Sequence, residues 1–307
     1  MQESQNNNKN EKTYCGYISI IGRPNVGKST ILNHILKQKI SITCRKPQTT
    51  RHQIWGVKTI ENKQYIYVDT PGLHQQEGKA INRYMNKAAL QSVNDVDVLL
   101  FVVEALKWTE LEDWILTQLT HVKIPVFLVI NKTDTVKQKN ELLPYVKEIS
   151  AKYNFEDVLM ISAKSAKSLN LVEESIDKYL PEGEFHFDKE QVTDRPVRFL
   201  VSEIIREKLM RTLGQEVPYQ LAVEIEHFKH NEDKNITDIS ASIIVERKGQ
   251  KVMIIGKQGQ KLKKIGSQAR KDIEEMLGNR IYLQLWVKIK EGWSDSDQLL
   301  KNLGYNM

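Results

Sequence analysis

The chain has 307 residues, 40% of them hydrophobic and 27% charged, which is the composition of an ordinary globular protein and enough for about two domains. Its net charge of +6 and isoelectric point near 9.0 point to a polyanionic partner only once the basic residues are located. The longest unbroken apolar run, Val98 to Val103, falls far short of the ~20 residues of a membrane helix, and Cys15 and Cys44 match no metal or redox spacing. Idle thiols in a reducing cytosol are the consistent reading of the cysteines.

Met1 to Lys12, rich in Gln and Asn, reads as a disordered tail rather than a signal peptide, so residues 1–13 are set apart. An apolar run, Tyr17 to Ile21, enters Gly22-Arg23-Pro24-Asn25-Val26-Gly27-Lys28-Ser29-Thr30 and then a helical segment, Ile31 to Leu36. Glycine, four residues and Gly-Lys-Ser between a strand and a helix is the spacing of a phosphate-binding loop. Backbone N–H groups freed by the glycines and aimed by the helix N-terminus wrap a polyphosphate. Ile40 to Gln53 reads as a loop around Lys46-Pro47-Gln48-Thr49-Thr50-Arg51. Tyr65 to Val68 is a strand ending in Asp69-Thr70-Pro71-Gly72. Val98 to Val103 and Val126 to Ile130 are apolar throughout, as parallel strands covered on both faces are, and the second ends in Asn131-Lys132-Thr133-Asp134. A short strand, Val158 to Ile161, ends in Ser162-Ala163-Lys164. Helical patterns at Ala80–Val93, Glu110–Leu119, Glu141–Tyr153 and Leu169–Leu180 alternate with these strands. The fold class expected over 14–181 is therefore α/β, a doubly wound and mostly parallel sheet. Every motif sits at the carboxyl end of a strand, where such sheets bind ligands.

The chemistry follows from residue types. Lys28 is placed to reach the β- and γ-phosphates, with Ser29 a ligand of Mg²⁺ and Asp69 holding that ion through water. The Gly72 N–H can meet the γ-phosphate and sense its presence. Thr50, with Thr49 its near rival, is expected to complete the metal's coordination, so Lys28, Thr50 and Gly72 form the catalytic set. Asp134 selects guanine, because a carboxylate can accept from N1–H and the N2 amine, a donor pair adenine lacks. Asn131 would tie that loop to the phosphate loop, the Lys132 stem would cover the base, and Ser162-Ala163-Lys164 can offer an N–H to guanine O6. GTP is then the substrate, against the alternatives of an ATP-using phosphate-loop enzyme and of GTP as a structural ligand only. Leu73 stands where many GTPases place a water-orienting glutamine, and Arg51 is a candidate source of charge at the phosphates. Asn25 could help coordinate a monovalent cation against the same phosphates, or merely bond its own loop.

Pro181 to Arg195, without periodicity, reads as a linker occupying 182–195. The pattern over 196–307 then becomes helix (Val197–Leu213, amphipathic), strands (Tyr219–His227, Ile239–Val245), two helices (Gln250–Ile255, Gln260–Leu277) and a strand (Ile281–Ile289). The two helices flank Gly256-Lys257-Gln258-Gly259, and a Gly-x-x-Gly turn in that place lets a KH domain lay its backbone against about four nucleotides. Charge separates this from a plain helical turn. Arg247, Lys248, Lys251, Lys257, Lys261, Lys263, Lys264, Arg270 and Lys271 are nine basic residues in a window with no acidic one. A solvated face would interleave both signs, whereas phosphate binding needs one. Single-stranded RNA is the expected ligand of that face.

The nucleotide motifs together resemble the GTPases related to translation factors. Gly22 to Thr30, Gln48-Thr49-Thr50-Arg51-His52 and Asp69-Thr70-Pro71-Gly72-Leu73-His74, with Val245-Glu246-Arg247, Gly256-Lys257-Gln258-Gly259 and Leu285-Trp286-Val287-Lys288, closely resemble the Era family of bacterial GTPases over the whole chain after the tail. The resemblance implies a phosphate-loop GTPase domain followed by a smaller α+β, type II KH domain. It implies GTP-dependent assembly of the small ribosomal subunit by a cytoplasmic monomer, with the KH domain on the 3′ region of 16S rRNA. Weak peripheral association with the inner face of the cell membrane is also implied, although the sequence carries no anchor, and similar GTPases include ones activated by K⁺.

Overall fold

The computed structural model describes residues 12–44, 46, 48–75, 79–213 and 221–302, so the expected tail over 1–11 lies outside it. The first domain runs β1 (Tyr14–Ile21), α1 (Lys28–Leu36), β2 (Ile54–Ile60), β3 (Lys63–Asp69), α2 (Ala80–Gln91), β4 (Val98–Glu104), α3 (Glu110–Gln118), β5 (Val126–Asn131), α4 (Leu142–Ser150), β6 (Asp157–Met160) and α5 (Ala166–Ile176). Its sheet has the order β2-β3-β1-β4-β5-β6, parallel except for β2 against β3. The unbroken apolar strands are explained by two cores. Ile18, Ile20, Leu100, Val102 and Val129 pack under α1 and α5, whereas Ile21, Leu99, Phe101, Val103 and Leu128 pack under α2, α3 and α4. Alternate residues of one strand thus serve opposite layers.

β2 was not expected from the sequence. It is an edge strand turned back on β3 at Glu61, whose φ is +51°, and the segment after α5 closes its free side. Val57 N donates to the Val192 carbonyl at 2.8 Å and Trp55 N to Asp194 Oδ1 at 3.1 Å. The buried Gln64 amide oxygen accepts from His186 N and Phe187 N. The stretch read as a linker is therefore strapped along the sheet, which also covers an exposed edge. Lys12 and Thr13, placed in the expected tail, bond the same segment at Glu182 and Gly183.

The second domain runs α6 (Val197–Thr212), β7 (Leu221–Asn231), β8 (Ile236–Val245), α7 (Lys248–Ile255), α8 (Gln260–Leu277), β9 (Arg280–Ile289) and α9 (Asp297–Asn302). Tyr219 and Gln220, expected at the start of the first strand, lie outside the described residues. β8 pairs antiparallel with β7 and parallel with β9, and Ile239, Ala241 and Ile243 of β8 meet Ile205 and Leu209 of α6 and Ile265, Ala269 and Ile273 of α8. Helix, two strands, two helices and a strand is the type II KH arrangement.

The amphipathic reading of α6 needs correction. Glu203, Arg206, Glu207 and Lys208 are all buried, so its polar side faces protein rather than water. That side receives the loop between α1 and β2, where Arg51 donates to the Leu221 carbonyl and Arg206 to the Thr49 carbonyl. His52 stacks edgewise on Phe199, and its pKa is pushed down to about 3 by burial. A small apolar cluster completes the junction, with Trp293, Leu300, Ala222 and Ile244 packed on Ala80 and Ile81 of α2. Neither Trp293 as a buried anchor nor α9 was expected.

Candidate active site and nucleic-acid interface

The carboxyl ends of β1, β3 and β5, with the loop after β6, surround a cavity of about 810 Å³. Pro24, Asn25, Gly27, Lys28, Ser29, Thr30, Thr50, Gly72, Asn131, Lys132, Asp134, Ala163 and Lys164 line it, together with Thr49. Gly22, Arg23, Val26, Asp69, Thr70, Pro71 and Ser162, also expected at the site, do not line the cavity. Gly27 has a φ of +109°, and a Cβ there would lie 2.2 Å from Asn131 Nδ2, so only glycine lets these loops touch. Across that contact Asn131 Nδ2 donates to the Val26 carbonyl at 2.8 Å, and Asn131 Oδ1 accepts from Ala163 N at 2.9 Å.

At the phosphate end, Ser29 Oγ donates to Asp69 Oδ2 at 2.7 Å and lies 2.8 Å from Thr50 Oγ1. Thr49 Oγ1 instead donates to the Lys46 carbonyl, so of the two threonines Thr50 carries the hydroxyl at this centre. Ser41, which no motif marked, also donates to Asp69 Oδ2, at 2.8 Å. Burial pushes the Asp69 carboxyl up, against the pull of Lys28 and of the three hydroxyls. Its Oδ1 is buried with no hydrogen-bond partner. An orphaned carboxylate oxygen beside two hydroxyls is a hard, all-oxygen donor set that fits Mg²⁺, with the remaining positions left to water and phosphate. Among the described residues no group of three His, Cys, Asp or Glu side chains could hold a metal.

Lys28 Nζ donates to the Gly22 and Arg23 carbonyls, and burial lowers its pKa to about 8. A polyphosphate beside it favours the charged form, so above pH ~8 binding must take up a proton. The association constant for GTP is expected to be level below pH ~8 and to fall by up to about tenfold per pH unit above it. Calorimetry in buffers of different ionisation enthalpy reads the proton directly.

Arg23 does not project into the cavity. Its guanidinium pairs with Glu104 at 3.2 Å and with the buried Glu112, and Glu104 also pairs with Lys132 at 2.9 Å. It braces the phosphate loop against the base loop. Arg51, considered as a charge at the phosphates, is buried at the domain junction instead. Leu73 is fully buried in the core, so its side chain orients no water. At the base end, Asp134 accepts from Ser162 Oγ at 2.8 Å and from Lys164 Nζ at 3.0 Å, which holds its pKa below the usual value. Thr43, Cys44 and Arg211 also line the cavity without belonging to any motif, as does Gln48 of the Thr-Thr-Arg loop, which has no expected role.

In the second domain the Gly-x-x-Gly turn has φ of +70° at Gly256 and +75° at Gly259, and a Cβ on Gly256 would lie 2.7 Å from Lys261 Cβ. Arg247, Lys248, Lys257, Gln258, Lys263, Lys264 and Arg270 are exposed, and Lys251 and Lys261 half-buried, around it. Val252 and Met253, both more than half exposed on α7, add apolar surface among these cations.

A family model described as a 50S ribosome-binding GTPase matches residues 17–132, and a KH domain model matches 216–294. GTPase Era of Actinobacillus pleuropneumoniae is 54% identical over 298 residues, covering 97% of this chain and 98% of the relative. A structure of Aquifex aeolicus Era bound to GDP·AlF4⁻ matches with a TM-score of 0.91 at 39% identity, over 96% of this chain and all of the other. Era in complex with MgGDPNP and nucleotides 1506–1542 of 16S ribosomal RNA matches with a TM-score of 0.92, also at 39% identity and over the same shares. With the sheet order, the nucleotide loops and the KH arrangement all in place, the chain belongs to the Era family of GTPases.

Proposed function

We propose that this chain hydrolyses GTP as a switch that binds the 3′ region of 16S rRNA through its KH domain during assembly of the small ribosomal subunit. The observation that carries the reading is one cavity with a phosphate centre (Lys28, Ser29, Thr50, Asp69) at one end and Asp134 at the other, on a chain whose second domain bears the basic Gly-x-x-Gly face. Water adds to the γ-phosphorus as the bridging P–O bond to the β-phosphate breaks, giving GDP and phosphate. Lys28 carries positive charge at those phosphates, the Gly72 N–H meets the γ-phosphate, and Thr50 closes the loop over it. Bound Mg²⁺, held through Ser29, Thr50 and, by way of water, Asp69, supplies further neutralisation of phosphate charge. An Era structure carrying nucleotides 1506–1542 of 16S rRNA, 39% identical to this chain, supports the choice of RNA. The chain would act as a cytoplasmic monomer, with weak peripheral contact at the inner membrane face as a separate property tested by vesicle flotation. No helix among the described residues is long and apolar enough to cross a membrane.

Phosphate release with and without that RNA, and with ATP as competitor, tests the reading. GTP turnover that responds to RNA and resists excess ATP supports it. A GTP-bound protein that releases no phosphate would leave GTP as a structural ligand. The base assignment has its own test. Asp134→Asn replaces an acceptor with an amide that can face the carbonyl of xanthine, so preference should move from GTP toward XTP, and an unchanged preference counts against it.

Asn25 lines the cavity in the left-handed region, with φ of +66°. With no glutamine after Gly72, we assign Asn25 as a residue that would hold a K⁺ at the phosphates, where the ion would supply further positive charge. Hydrolysis should be slow, faster in potassium than in sodium at equal ionic strength, and the difference should vanish in Asn25→Ala. Equal rates in the two salts remove the cation.

A further inference from the structure

Resting on the GTPase reading above, we infer that Glu207, in the second domain, is a positioning residue for GTP hydrolysis in the first. The described residues of the loop over 38–53 are anchored on two sides. Its Ser41 and Thr50 hydroxyls turn inward to Asp69 and Ser29, while residues beside them turn outward to α6. Glu207 is fully buried there. Its Oε2 lies 2.5 Å from Lys39 Nζ, and its Oε1 accepts from Thr43 N at 3.2 Å and from Arg211 Nη2 at 2.8 Å. The same Arg211 nitrogen donates to the Thr43 carbonyl at 2.9 Å, and Arg211 lines the nucleotide cavity. One carboxylate therefore grips the loop before and after Ser41.

Opening of the loop would take Lys39 and the Thr43 N–H away from a buried carboxylate. Arg211 and Lys208 of its own helix would remain beside it, but the lost Lys39 ion pair and Thr43 hydrogen bond are not replaced within α6, so Glu207 favours the closed loop. Closure places Thr50 at the phosphate centre, which matters when a γ-phosphate is present and much less with GDP. Glu207 thus acts through Thr43 and Thr50, touching neither nucleotide nor water, and it makes the nucleotide site depend on the domain that carries the RNA-binding face.

Glu207→Gln keeps the shape and removes the charge. In the full-length chain, affinity for GDPNP and kcat for GTP are expected to fall roughly tenfold, within the usual range for coupled sites, with GDP affinity changed less than about twofold. A purely structural role would lower the melting temperature and weaken both nucleotides alike. Lys39→Gln removes the loop's cation at an exposed position, where it also pairs with Asp272 at 3.2 Å. It should show the same selective loss, and the double variant should be no worse than the worse single. A GDPNP-to-GDP affinity ratio unchanged in both single variants, or losses that simply add, overturns the inference. Wild-type protein with no GTP turnover would instead overturn the GTPase reading itself, so the two failures are distinguishable.

Discussion

Lys28→Ala is expected to reduce GTP turnover by about 100-fold or more, the usual cost of removing one preorganised donor to a developing charge. The size of the effect follows from where the neighbouring arginines are held. Of the other cations considered at the phosphates, Arg23 of the phosphate loop is held by Glu104 and Glu112 on the far side of that loop, and Arg51 of the loop over 38–53 is buried at the domain junction. Among the described residues of the phosphate loop, Lys28 is the cation that lines the cavity, beside Ser29 and Gly27. Its burial depresses its pKa to about 8 in the absence of nucleotide, so the protein holds an unfavourably desolvated ammonium that a polyphosphate relieves. Ser29→Ala should act in the same direction, because it removes the hydroxyl that Asp69 and Thr50 share. Stopped assays of phosphate release, with GDPNP binding measured in parallel, separate lost binding from lost chemistry. Turnover at the wild-type rate in Lys28→Ala would falsify the assignment of this cavity to the γ-phosphate.

Replacing Lys257 and Gln258 together by Asp should weaken binding of the 16S rRNA 3′ segment by about 100-fold or more at physiological salt. Two carboxylates then stand where phosphates pass, and like charges at close approach are repelled, while one fewer cation lowers the salt slope by about 1. Gly256 and Gly259 remain, so the turn with its left-handed backbone is kept and the fold is not the variable. Both side chains are exposed and neither lines the nucleotide cavity, so GTP hydrolysis without RNA should be unchanged. Equal RNA affinity in wild type and variant removes the Gly-x-x-Gly turn from the binding face.

The parts of the molecule legible in the sequence were those dictated locally. Val98–Val103 reads as a doubly covered strand because each residue must bury whichever face it lies on, and Gly256 and Gly259 mark a turn because of the backbone they permit. The phosphate-loop spacing is legible for the same reason. What escaped was set by distant partners. β2 is amphipathic only in relation to the segment over 181–195, which closes its edge, and nothing within Ile54–Ile60 announces that partner. α6 carries Glu203, Arg206 and Glu207 in a pattern that reads as a wet helical face, yet each is buried because the loop over 38–53 brings Lys39, Thr43 and the Thr49 carbonyl to meet them. Ser41 looks like one more polar loop residue until the fold sets it against Asp69. Arg23 shows the converse: a cation in a phosphate loop invites a ligand role, and two acidic residues from β4 and α3 claim it first.

Crosslinking of the protein to RNA in living cells, with the bound sites mapped to the nucleotide, tests most directly the joining of a GTPase to a reader of small-subunit rRNA. Crosslinks concentrated in the 3′ region of 16S rRNA, and lost with Lys257 and Gln258 both replaced by Asp, are the expected result. Crosslinks scattered over unrelated RNAs, or unaffected by that double replacement, would contradict it.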